Sequence, residues 1–170
     1  QRQMCIRDSF EEQIKKSVPD YALLYRLPDS AQSFGGGNLR FSNKNPFDFL
    51  MWDSRKHKLY ALEMKTVSGK SISFERDKLK TKEIHYHQIQ GLNEWNKYDG
   101  ITCGFIIEFR QIEKTVFIHI EDFNKIMLVV PKTSFNYNDL IEYKINHTVI
   151  EQVKARTRFT YKIDEFLRQQ

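Results

Sequence analysis

The chain has 170 residues, of which 40% are apolar and 14% aromatic, with 27 Lys and Arg against 22 Asp and Glu for a formal charge of +5. Thirteen Phe, eight Tyr and two Trp supply a sizeable core, which excludes a disordered chain and a mini-protein held by disulfides. No apolar run approaches the roughly 20 residues that span a bilayer, so the chain reads as soluble and intracellular, and a pI near 9.1 suggests an acidic partner such as nucleic acid.

Residues 3–9, Gln-Met-Cys-Ile-Arg-Asp-Ser, resemble the translation of a sequencing adapter. Residues 1–9 are therefore set aside as a leader foreign to the protein, and residues 10–170 are expected to form one domain. Phe10, Ile14 and Val18 recur every four residues and predict a short amphipathic helix that ends at Pro19. Glu11 and Glu12 fall in its first turn, and residues 21–27 predict a strand. Residues 28–45 are polar and glycine-rich around Gly35-Gly36-Gly37, carry Arg40 and Lys44, and read as a loop that could approach DNA. The glycines lack the Gly-Lys-Ser/Thr ending of a nucleotide-binding loop.

Residues 47–52 and 59–64 are strand-like runs joined by Asp53-Ser54-Arg55-Lys56, the pattern of a hairpin. A polar stretch covers residues 68–82. Ile89, Leu92 and Trp95 then mark a helix over residues 85–98, with Gly100 as its stop. Residues 101–109 form another apolar run, Val116, Ile118 and Ile120 alternate as in a half-buried strand, and residues 121–129 predict a helix; beyond Pro131 the pattern weakens. This order describes an α/β fold with a central mixed sheet flanked by helices.

Polar residues inside the predicted strands are the chemically informative ones. Side chains alternate along a strand, so Glu63 and Lys65 share one face while Met64 points the other way. Asp48 comes to the same face if the two strands pair. Hard divalent cations prefer carboxylate oxygens, and Mg²⁺ commonly uses one or two carboxylates together with substrate phosphate. Glu-x-Lys by itself is more often a solvated strand face. Pro46-Phe47-Asp48 upstream and His87-Gln88 opening a helix downstream give it context.

With Asn45-Pro46-Phe47-Asp48-Phe49, Leu62-Glu63-Met64-Lys65-Thr66, His85-Tyr86-His87-Gln88-Ile89-Gln90-Gly91-Leu92 and the run from Gly100 to Phe109, the sequence resembles RecU-type Holliday junction resolvases of phages and Gram-positive bacteria. The resemblance extends from about Phe10 to Leu167, with Arg156-Thr157-Arg158-Phe159-Thr160-Tyr161 near its end. It implies the restriction-endonuclease-like fold of the PD-(D/E)xK nucleases. Matched by motif, it makes Asp48 and Glu63 ligands of Mg²⁺ or Mn²⁺, Lys65 the catalytic lysine, and Gln88 a helix residue lining the site. Glu12, ahead of Glu11, would be the acidic residue lent by the first helix, and Thr66 would touch the edge of the site. The implied activity is cleavage of branched DNA by a homodimer in the cytoplasm of a bacterial cell, with a recombinase as a further partner and no membrane. The loop before Asp48 is short for the family's stalk, and the segment between Lys65 and His87 is long and basic. Flaps, damaged duplex or RNA therefore stand as alternative substrates, and a non-catalytic DNA-binding module as an alternative from another class.

Further basic residues are candidates for phosphate contact. Lys154, Arg156, Arg158 and Lys162 alternate with Val153, Ala155, Thr157, Phe159 and Tyr161, so an extended segment would carry a cationic face, or equally a solvated strand edge. Arg76, Lys78, Lys80 and Lys82 form a second basic segment, which as a bland alternative is a solvated loop. His85 and His87 lack the further ligands of a zinc site, and Cys103 lies in an apolar run where an inert buried thiol is expected.

Overall fold

The computed structural model describes residues 2–28, 45–77, 81–156 and 158–170, with side chains from residue 9 onward. Helix α1 (Arg2–Ser17) starts earlier than the apolar repeat indicates and stops just before Pro19. Phe10 and Ile14, one helical turn apart, are both buried, and Lys15 and Lys16 lie in the last turn, where positive charge complements the helix dipole.

Strands β1 (Ala22–Arg26), β2 (Phe49–Asp53) and β3 (Lys58–Val67) pair antiparallel in that order. The buried Asp53 side chain shapes the β2–β3 turn: its Oδ1 accepts the N–H groups of Arg55 at 2.9 Å and Lys56 at 3.4 Å, and His57 takes a left-handed φ of 52°. The expected hairpin is present, but β2 begins at Phe49. Asp48 sits in the bend before it rather than within the strand.

After β3 the chain crosses over through β4 (Ile72–Ser73) and α2 (Tyr86–Trp95) to β5 (Ile101–Phe109), which lies parallel to β3. β6 (Lys114–His119) pairs antiparallel with β5, α3 (Ile120–Val129) follows, and after β7 (Ser134–Phe135) and α4 (Tyr137–Glu142) strand β8 (Thr148–Ile150) closes the order β1-β2-β3-β5-β6-β8. The chain ends in a separate hairpin of β9 (Gln152–Lys154) and β10 (Phe159–Tyr161), then α5 (Ile163–Gln169). This mixed sheet between helices is the restriction-endonuclease-like fold.

Each face of the sheet has its own core. Met51, Tyr60, Leu62, Met64, Ile106 and Phe117 meet α1 and α5 on one side. Ala61, Phe105, Ile107, Val116 and Ile118 meet α2 and α3 on the other. Gly104 on β5 has a steric reason, since a Cβ there would lie 2.4 Å from the Ile118 carbonyl oxygen and 2.6 Å from the Phe117 ring.

Two stretches depart from the sequence expectation. The polar segment over residues 68–82 contributes two wholly buried side chains, Ile72 and Phe74, because β4 pairs with β7 under the α2 side of the sheet. The basic segment over residues 153–162 is not one extended strand. It folds back at residues 155–158, where the Ala155 N–H donates to the Arg158 carbonyl at 2.7 Å. Lys154 thereby stands opposite Phe159, and the expected single cationic face is broken by the turn.

Candidate active site on the β2–β3 hairpin and helix α2

Strand alternation in β3 sends Leu62 and Met64 into the α1 side and turns Glu63 and Lys65 toward α2. Lys65 Nζ lies 2.9 Å from Glu63 Oε1. The β2–β3 register ends at the Phe49–Leu62 pair, so Asp48, in the bend before β2, lies one residue beyond it at the level of Glu63.

The segment carrying Asp48 is fixed on three sides. Phe47 is wholly buried, its ring edge-on to Trp95 at a centroid distance of 4.9 Å. Pro46 rests against Gly91 of α2 so closely that a Cβ at Gly91 would lie 2.4 Å from the Pro46 Cβ. The Asp48 carbonyl accepts the Leu27 N–H at 2.8 Å, continuing the β1–β2 ladder.

Helix α2 supplies the fourth group. The Gln88 Oε1 accepts the His85 N–H at 3.0 Å, closing the first turn, while its Nε2 donates to Glu63 Oε1 at 2.5 Å. Its amide is thus oriented by the helix end before it reaches the carboxylate. Behind it, Glu75 accepts from the Tyr86 N–H at 2.6 Å and the Lys82 N–H at 3.1 Å, and faces His85 Nδ1 at 3.0 Å. Burial raises the Glu75 carboxyl, but these bonds and the His85 charge together hold it below the usual carboxylate range. The His85 and His87 rings stack at 5.4 Å.

Glu63 is 0% exposed. The groups bonded to it include the Lys65 ammonium and the Gln88 amide, and Asp48 is half-buried. Asp48 and Glu63 are hard oxygen donors, the ligand chemistry that suits Mg²⁺ or Mn²⁺ completed by water and phosphate. Among the described residues no group of three or more His, Cys, Asp or Glu gathers to hold a metal.

The other expected site residues lie elsewhere. Glu12 is on α1, which covers the sheet face opposite Glu63; it is 54% exposed and bonded to Lys16 at 2.5 Å, whose hydrogen bond and charge lower its carboxyl. Glu11 lies 3.4 Å from the Arg26 guanidinium. Thr66 has the wrong parity to face the site and donates instead to Glu108 Oε2 at 2.7 Å. Arg76 donates to the carbonyls of Met127, Val130 and Lys132, capping the end of α3. Its guanidinium serves the fold where a phosphate contact was expected. Lys154 reaches Glu113 at 3.3 Å, and Arg156 and Arg158 are exposed at the tip of the β9–β10 hairpin. Arg40, Lys44, Lys78 and Lys80 lie outside the described residues.

Two polar elements were not anticipated. Glu75 braces the start of α2, and its signal was hidden because it sits ten residues before its partner His85. Glu108 is buried on β5 and takes the Tyr161 hydroxyl at 2.9 Å as well as Thr66; a charged residue inside the apolar run over 101–109 was the visible cue. Cys103 is a free, buried thiol, pushed up to about 12 by burial.

The model of the family described as "Recombination protein U", RecU, matches residues 50–163. The matched stretch contains Glu63, Lys65 and Gln88 and begins just after Asp48. The chain is also 32% identical over 146 residues to the SPbeta prophage-derived uncharacterized protein YotM of Bacillus subtilis (strain 168). That similarity covers 85% of this chain and 65% of the relative, so the chain spans somewhat less than two thirds of the relative's length. With a family match over most of its sheet and helices, the chain belongs to the RecU family.

Proposed function

We propose that this protein is a divalent-cation-dependent endonuclease that hydrolyses a phosphodiester of branched DNA, with four-way junctions as its substrate class. The observation that carries the reading is the convergence of Lys65 and Gln88 on Glu63, with Asp48 on the segment that leads into the neighbouring strand β2.

Asp48 and Glu63 would hold Mg²⁺ or Mn²⁺, which when bound supplies charge neutralisation at the phosphate and acidifies coordinated water. Gln88 fixes the rotamer of Glu63 through a bond that is itself fixed by the α2 N-terminus. Lys65 places a positive charge beside the carboxylates, where it can orient the attacking water and offset the negative charge that grows on phosphate oxygens as phosphorus gains one oxygen and loses another. The exposed Arg156 and Arg158 are suited to contact backbone phosphates away from the cut. A four-way junction needs two nicks related by approximate two-fold symmetry, which a C2 homodimer provides.

The test compares immobile four-way junctions, flaps and linear duplex in Mg²⁺ at one salt concentration. The proposal expects junction cleavage at least tenfold faster than either alternative. Equal rates on all three would remove junction specificity and leave a nuclease of broader substrate range.

A further inference from the structure

Beyond the Phe49–Leu62 pair β3 loses its β2 neighbour, while its pairing with β5 continues to Val67. Lys65 therefore stands on a stretch of strand held along one edge. On the other face of the sheet that stretch carries Thr66, whose register partner on β5 is Glu108. Glu108 is 5% exposed, and each of its oxygens takes one hydroxyl: Thr66 donates to Oε2 at 2.7 Å, and Tyr161 of β10 donates to Oε1 at 2.9 Å. The Arg110 Nε lies 3.9 Å from Oε2. Burial, and after it the negative charge of Glu108, push the Tyr161 hydroxyl above its ordinary range, so it remains a donor at neutral pH.

One carboxylate thus bridges the strand of Lys65 and the hairpin whose tip carries Arg156 and Arg158. The hairpin is a two-stranded sheet of its own, and side chains hold its root to the rest of the molecule. Thr115 donates to Gln152 Oε1 at 2.7 Å, and the Tyr161 N–H donates to Ser17 Oγ at 3.0 Å. Burying a carboxylate costs desolvation that an apolar side chain would not. An apolar residue at 108 would extend the face of Ile106 without that cost, but it could accept neither hydroxyl.

We infer that Glu108 is a positioning residue that sets the basic hairpin tip and the Lys65 strand in a fixed relation, so that one bound DNA molecule meets both. The inference rests on the nuclease reading for its consequence at Lys65, and on the bonds of Glu108 for the tie itself. The two oxygens have separable duties. Loss of the Thr66 hydroxyl loosens the strand of Lys65, which is felt in the rate. Loss of the Tyr161 hydroxyl loosens the hairpin, which is felt in affinity. A carboxylate that served stability alone would not divide rate from affinity in this way.

The test measures junction affinity without divalent metal and single-turnover nicking in Mg²⁺ at saturating protein, with thermal unfolding to establish that each chain is folded at the assay temperature. Tyr161→Phe should raise Kd at least fivefold and flatten the slope of log K against log salt by about 2, the share of two phosphate contacts, with the saturated rate within twofold of native. Thr66→Val should lower the saturated rate at least fivefold with Kd and slope unchanged. Glu108→Ala should show both losses, and Glu108→Gln, whose amide oxygen still accepts one hydroxyl, should recover most of each. Should Glu108→Ala not fold, the two hydroxyl variants carry the test. Unchanged affinity and slope in Tyr161→Phe, an unchanged rate in Thr66→Val, or rate and affinity falling together in both would overturn the inference. A native chain that binds junctions without nicking them would instead sink the nuclease reading, and the affinity and slope of Tyr161→Phe would still decide the hairpin tie.

Discussion

Glu63 is the residue on which the site turns, because one of its oxygens receives both the Lys65 ammonium and the Gln88 amide. An oriented supporting group of this kind typically contributes one to two orders of magnitude to metal affinity or rate. Gln88→Leu is therefore expected to lower kcat on a junction about 10–100-fold with KM little changed; a rise in KM alone would mean that Gln88 meets DNA directly. The positions of Glu63 and Lys65 on one face were legible from parity alone. The same rule, applied one residue further, predicts that Thr66 faces away, as its bond to Glu108 shows. Arg76 could not be read this way, since its partners are carbonyls more than fifty residues later at the end of α3. The placement of Glu12 was not legible for a related reason: a helix sequence gives the stripe that faces the sheet, here Phe10 and Ile14, but not which face of the sheet receives it.

At the scale of elements, the hairpin β2–β3 and helix α2 were visible in the sequence because each has its own periodicity and its own stop. Their contact was not, because it depends on Gly91 admitting Pro46. A methyl group at Gly91 would overlap Pro46, so Gly91→Ala should cost about 1–3 kcal/mol, as overpacking commonly does. Thermal unfolding should detect it as a fall of several degrees, accompanied by loss of activity as the Asp48 segment shifts; an unchanged midpoint would show that α2 is free to move outward. The basic stretch before α5 teaches the opposite lesson. Its strict alternation looked like one strand, but a four-residue turn converts it to a hairpin and leaves Arg156 and Arg158 at the tip. If the tip meets phosphate, an Arg156→Ala/Arg158→Ala chain should bind junctions less tightly and with a log K against log salt slope shallower by about 2. An unchanged slope would assign the pair to solvent.

For the molecule as a whole, the mixed sheet separates two kinds of work. The α1 and α5 side is an apolar core anchored by Tyr60, Met64 and Phe166, with the polar bonds of Glu108 at one edge. The α2 side leaves one corner polar around Glu63 and one corner apolar around Leu23 and Tyr25. The helix–strand–helix order and the face of each strand follow from local patterns, which is why the fold class could be anticipated. The pairing of β3 with β5 and the burial of Phe74 and Ile72 depend on contacts far apart in sequence, and polar neighbours hid them. The central claim, that this polar corner performs hydrolysis, is tested most directly by single-turnover nicking of an immobile four-way junction in Mg²⁺, comparing the native chain with Glu63→Ala at matched junction occupancy. The native chain should nick, and the variant should bind as tightly while its rate falls by at least about 10²–10³-fold. Equal rates from the two chains, or no nicking by the native chain when it is fully bound, would contradict the claim.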